Sequence, residues 1–171
     1  IASELLGSDA ELKTYDFSQI QTMHDFQTRI LGTRDALGNP VKSDFMKAYD
    51  RANGKMVVAF DELANVRARE LLTALYDFFR EPIMNTFSDG VPRKMGGILT
   101  IVTGNAGQEL YANVPRDLPM DQQMAAWQDI SEKVAADLEM QRRILERYFP
   151  APLVTRWGKN NTFFFPPHTF K

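Results

Sequence analysis

The run Met56–Phe60, MVVAF, is apolar at every position, and it stops abruptly at two carboxylates, Asp61 and Glu62. It is too short for a helix of its own and carries adjacent β-branched valines, so it reads as a strand buried on both faces. Strands of that kind belong to parallel sheets, whose crossover connections lay helices over the faces. The rest of the chain supplies the matching pattern. Leu12–Phe17, Ile98–Thr103 and Thr162–Phe165 read as further strands. Ser18 is placed to cap a helix running to Leu31, and residues 43–53 return to helix. Over Ala64–Phe79, Val66, Leu71, Leu72, Leu75 and Phe78 or Phe79 recur at helical spacing. Residues 32–40 and 82–97 read as loops from their Gly, Pro, Asn and Asp content. Residues 120–148 carry apolar side chains at 120, 124, 127, 130, 134, 138, 145 and 148, which predicts one long helix or two, with the Met and Trp positions used for packing. Strands alternating with helices predict an α/β fold with a parallel sheet and helices on both faces.

Several classes of function are disfavoured by composition. The chain contains no cysteine, and His24 and His168 lie far apart, so neither disulfides nor a zinc cluster is expected. A formal charge of −2 gives no nucleic-acid footprint. No apolar run approaches the roughly 18 to 20 residues of a membrane span, and no leader opens the sequence, so a cytoplasmic, non-membrane protein is expected. The first residue is Ile1 rather than methionine, and IASELLG reads as the last turns of a helix, so a fragment of a longer chain is expected.

In open α/β sheets ligands bind beyond the carboxyl ends of the strands. Three such places carry polar residues. Asp61 and Glu62 follow Met56–Phe60 directly, where one carboxylate can hold a hydrated Mg²⁺ and the next can orient a water. The same pair can instead cap the helix that follows, favoured by its dipole. Asn105 follows Ile98–Thr103, where its amide can both donate and accept, or can serve a plain turn. Arg156 precedes the last strand and can meet a phosphate of a neighbouring subunit or pair with a surface carboxylate.

In this order and spacing the three resemble the large subdomain of AAA+ ATPases, and most closely the second ATPase ring of Clp-type unfoldases. VVAFDELANVRARELLTALYDFF resembles the Walker B strand and its helix, and FSDGVPRKMGGILTIVTGNAGQELY resembles the sensor-1 region. YFPAPLVTRW resembles the arginine-finger segment, with Phe149 and Arg156 in register, and NTFFFPP the strand after it. ASELLGSDAELKTYDFSQIQTMHDFQTRILG resembles the stretch after the P-loop helix, matching at Asp16, Ser18 and His24. Only residues 120–148 stand apart, as a helix longer than usual. The resemblance implies a P-loop NTPase-like sheet, ATP and Mg²⁺ as ligands, and a homo-oligomeric ring, a hexamer, that remodels or unfolds a protein partner. It assigns Asp61 to Mg²⁺ through water, Glu62 to the hydrolytic water, Asn105 to the γ-phosphate, and Arg156 to the transition state of the adjacent subunit.

The sequence also departs from the family. The phosphate-cradling loop GxxxxGK[ST] does not occur in these residues, nor does the first strand that precedes it, nor the C-terminal lid. Leu37, in GTRDALGNP, stands near the place of the aromatic that grips polypeptide. Ala151-Pro152 and Thr155 replace Pro-Glu and Asn beside Arg156. Three readings follow: an ATPase that is inactive as this segment alone, a non-catalytic AAA+-like scaffold or nucleotide-dependent assembly module, and an unrelated doubly wound binding domain.

Overall fold

The computed structural model describes residues 10–157 apart from residue 81, together with Glu4, Gly7, Thr162 and Phe164. The strand expected over Thr162–Phe165 and the helix end expected at IASELLG therefore lie largely outside the described residues, as does His168. The chain divides into two compact units, Ile1–Gly104 and Asn105–Lys171.

The first unit is built on three parallel strands, β1 (Glu11–Asp16), β4 (Met56–Asp61) and β7 (Ile98–Val102), in the order β1-β4-β7. Helices flank this sheet, as the alternation of elements requires. Asp16 lies opposite Asp61, and Phe60 opposite Val102, so all three strands end at the same edge. Met56, Val57, Val58 and Phe60 are buried, as expected for the central strand. The outer strands differ from expectation, since each is covered on one face only. Leu12 on β1 and Leu99 and Ile101 on β7 are exposed. Phe60 is fully buried, with its ring 5.3 Å from those of Phe17 and Phe78. Such tilted and edge-on pairs add to the area that each ring removes from water.

The connections correct several boundaries. Ser18 caps no helix; its N–H is taken by Asp16 Oδ1 at 2.8 Å. The helix begins only at α1 (Met23–Phe26), where Thr22 Oγ1 accepts from Asp25 N and the Asp25 carboxylate accepts from Thr22 N. That reciprocal box satisfies two donors that a helix start leaves open. A π-helical turn, Gln27–Leu31, continues it and ends at Gly32. Gly32 has φ 82°, and a Cβ there would lie 2.8 Å from Val41 O, so glycine is required. Residues 32–40 are not a plain loop but a short hairpin, β2 (Thr33–Arg34) with β3 (Pro40–Val41). Ser43 then caps α2 (Asp44–Arg51) by accepting from Met46 N. Helix α3 (Arg69–Arg80) starts later than the pattern predicts, because a 3₁₀ turn, Leu63–Asn65, and three residues outside any helix come first. The stretch 82–97 forms a second hairpin, β5 (Ile83–Met84) with β6 (Arg93–Lys94).

In the second unit a 3₁₀ turn, Gln108–Tyr111, precedes α4 (Met120–Ala136), α5 (Leu138–Leu145) and α6 (Ala151–Trp157). The long helical segment is thus two helices. Asp137 leaves the helical region at φ −115°, ψ 95°, and its carboxylate accepts from Glu139 N and Met140 N to start α5. The expected use of the methionines for packing fails at Met120 and Met124, which are exposed. Gln123, Ser131 and Val134 take the buried positions instead. The polar members are satisfied, Gln123 by the carbonyls of Arg116 and Leu118, and Ser131 by the Tyr111 hydroxyl.

Candidate functional site

Asp61 is held at the edge of the sheet through its own backbone and both neighbouring strands. Its carbonyl accepts from Phe17 N at 2.8 Å, while Thr103 N donates to the carbonyl of Phe60 at 2.9 Å. The side chain before it is locked in the aromatic core and its own is exposed, so a buried anchor presents a carboxylate to water. Asp61 Oδ1 accepts from Glu62 N at 3.0 Å and from the Thr103 hydroxyl. It does not cap α3, which starts eight residues on. The simple capping reading of the Asp-Glu pair therefore fails at Asp61.

Glu62 sits in the left-handed region, φ 56° and ψ 31°. For a residue with a Cβ that conformation is uncommon and costs about 1–3 kcal/mol. The surrounding chain over-determines it. Leu63 N donates to the Thr103 carbonyl at 3.0 Å, and Asn65 N to the Glu62 carbonyl at 3.0 Å. Gly104 lies so close to the turn that a Cβ there would be 3.1 Å from Ala64 N. The turn brings Asn65 Nδ2 to Glu62 Oε2 at 2.8 Å. Asp16, the Cα partner of Asp61, spends its carboxylate locally on Ser18 N and Gln19 Nε2. Hydrogen bonding from Ser18, ahead of Gln19, holds its carboxyl below the usual range.

The structure thus brings together Asp61, Glu62, Thr103 and Asn65 in the first unit. Thr103 and Asn65 were not singled out by sequence reasoning. A hydroxyl at the end of a β-branched strand beside an acidic strand end was the available signal for Thr103. For Asn65 it was an amide three residues after Glu62, within reach across one tight turn. Asn105 and Arg156 belong to the second unit. Asn105 is exposed, and its carbonyl accepts from Gln108 N at 3.2 Å. Arg156 is exposed in the last turn of α6, a helix where sequence suggested only the approach to a strand. Phe149, matched with it in the family pattern, is buried and packs edge-on against Trp157 at 4.8 Å.

The hairpin β2–β3 is ordered by Asp35, whose carboxylate accepts from Leu37 N, Asn39 N and Asn39 Nδ2 at 2.9, 2.8 and 3.0 Å. Arg34 adds a bond to the Gly38 carbonyl. The result is a braced tip that presents Leu37 at 87% exposure. A cleft of about 220 Å³ lined by Phe78, Phe79, Met95, Ile98 and Thr100 lies elsewhere in this unit and contains no ionisable group.

Among the described residues no three His, Cys, Asp or Glu side chains converge as a metal cage. A single exposed carboxylate such as Asp61 could hold a divalent cation only through water, the mode open to an ion that keeps most of its own shell. Among the described residues no helix is long and apolar enough to cross a membrane. Comparison with protein-family models and with curated proteins finds no match to this chain.

Proposed function

We propose that this chain is part of a AAA+-type ATPase with a P-loop NTPase-like sheet, coupling ATP hydrolysis to the remodelling of a protein partner within a ring. The observation that carries the reading is Asp61-Glu62 at the carboxyl end of the central strand of a parallel sheet, with the Thr103 hydroxyl on the Asp61 carboxylate. Phosphoryl transfer is accelerated chiefly by positioned charge, and the residue types match that need. Glu62 orients the attacking water. Asp61, held by Thr103, takes the outer shell of Mg²⁺, which when bound supplies positive charge to the phosphate oxygens. Asn105 donates its amide to the γ-phosphate, and Arg156 offsets charge on the ATP of the adjacent subunit.

The test is nucleotide retention by full-length protein carrying Glu62→Gln. The variant is expected to bind Mg-ATP with near wild-type affinity and to keep it unhydrolysed. ADP formation at the wild-type rate would sink the reading. A scaffold that uses nucleotide for assembly alone is favoured by one observation, the aliphatic Leu37 at the braced hairpin tip. An aliphatic grips by packing without the area and stacking of a ring. ATP-dependent assembly of the full-length protein without turnover would select that reading.

A further inference from the structure

We infer that Asn65 is a positioning residue for Glu62, a role that rests on the ATPase reading above. Glu62 ends in a carboxylate on a flexible stem, so its strand alone does not aim it at a water. The left-handed backbone at Glu62 folds the chain back, and the 3₁₀ turn Leu63–Asn65 returns the Asn65 amide to the carboxylate at 2.8 Å. That turn is fixed from outside itself, by the Thr103 carbonyl on Leu63 N and by Gly104 against Ala64. The amide therefore meets Glu62 at a place set by the neighbouring strand end. Asn65 is itself exposed and builds no core. Its donor holds Oε2 without cancelling the carboxylate's charge, and limits the planes that the carboxylate can adopt. The strain at Glu62 and the hydrogen bond from Asn65 have one common result, a carboxylate with few orientations.

The experiment is steady-state ATP hydrolysis by full-length wild type, Asn65→Ala, Asn65→Asp and Glu62→Gln, with the affinity for a non-hydrolysable ATP analogue measured by calorimetry. Loss of one hydrogen bond to a charged group predicts a kcat about tenfold lower in Asn65→Ala, with KM and analogue affinity within about twofold. Asn65→Asp keeps the shape and turn preference of asparagine but replaces the donor with a like charge. It is expected to fall roughly a further tenfold. A purely structural turn residue predicts the reverse order, with Asp close to wild type and Ala worse. That order, or wild-type kcat in both variants while Glu62→Gln is inactive, overturns the role of Asn65 and leaves the ATPase reading standing. Weakened analogue binding in both variants also overturns it, by placing Asn65 in the nucleotide pocket instead. No turnover in wild type, or full turnover in Glu62→Gln, overturns the ATPase reading and this role with it.

Discussion

Two charged regions of the first unit are built on opposite principles. Around Arg93 the charge is buried, with 1% of its side chain exposed. Its Nη1 and Nη2 meet Asp89 at 3.0 Å, Nη2 meets Asp50 at 3.0 Å, and the guanidinium lies 4.7 Å from the Phe87 ring centre. Asp50 also takes Lys42 at 2.6 Å, so one carboxylate ties β6 and the residue after β3 to α2. At the strand ends, Asp61 is exposed and Glu62 is half-buried and strained. A buried charge needs a network that uses most of its donors, as here for both Nη atoms though not for Nε, whereas an exposed carboxylate keeps access to water. The first arrangement holds hairpins in place, and the second leaves carboxylates within reach of solvent.

That contrast breaks or sharpens under substitution. Arg93→Ala leaves the largely buried Asp89 without its hydrogen-bonded cation, with only the field of Lys42 remaining, and is expected to cost about 3 kcal/mol in urea unfolding. Hydrogen bonding from Arg93 holds the Asp89 carboxyl below its usual range. A lowered folded value means stability present above the unfolded value near pH 4 and lost as pH falls through the folded one. Acid unfolding of Arg93→Ala should therefore show a smaller contribution from Asp89 to the pH dependence, with the Val91 N–H and Lys42 supplying what is left. Ser43→Ala removes the cap on Met46 N and the donor to the Ile30 carbonyl, for about 1–2 kcal/mol. Glu62→Gly moves the other way, since glycine relieves the left-handed backbone, and should raise stability by up to about 1 kcal/mol while removing the proposed base. Asn53, at φ 47°, is the control: asparagine tolerates that region, so Asn53→Gly should shift stability by only a few tenths of a kcal/mol. Leu37→Ser, at an exposed tip, should stay within about 0.5 kcal/mol.

The central strand was legible because burial on both faces leaves an unbroken apolar run, and Met56–Phe60 is one. The helix after Ser43 was legible from its pattern but its cap was not, since Ser18 also stands ahead of a helical pattern and caps nothing, whereas Ser43 accepts from Met46 N. Part of what sequence missed depended on partners distant in the chain. Leu63–Asn65 is 3₁₀ rather than α because Thr103 and Gly104 fix it, and neither is near in sequence. Asp89 lies only 4 residues from Arg93 but Asp50 lies 43 away, so the pair that closes around the guanidinium is only half visible in the local sequence. The hairpin at 33–41 read as a loop because its order comes from Asp35, a residue equally at home in a plain turn. At the site, strand-end position singled out Asp61 and Glu62, while Thr103 and Asn65 emerged only from geometry.

The division between a supporting charge cluster and a reactive one is tested most directly by measuring unfolding free energy and ATP turnover together for Glu62→Gln in the full-length protein. The expected result is stability within about 0.5 kcal/mol of wild type and turnover reduced at least a hundredfold, the loss of a group acting only in the reaction. Turnover unchanged, or lost only in proportion to a fall in stability, would contradict it and make the carboxylates part of the framework.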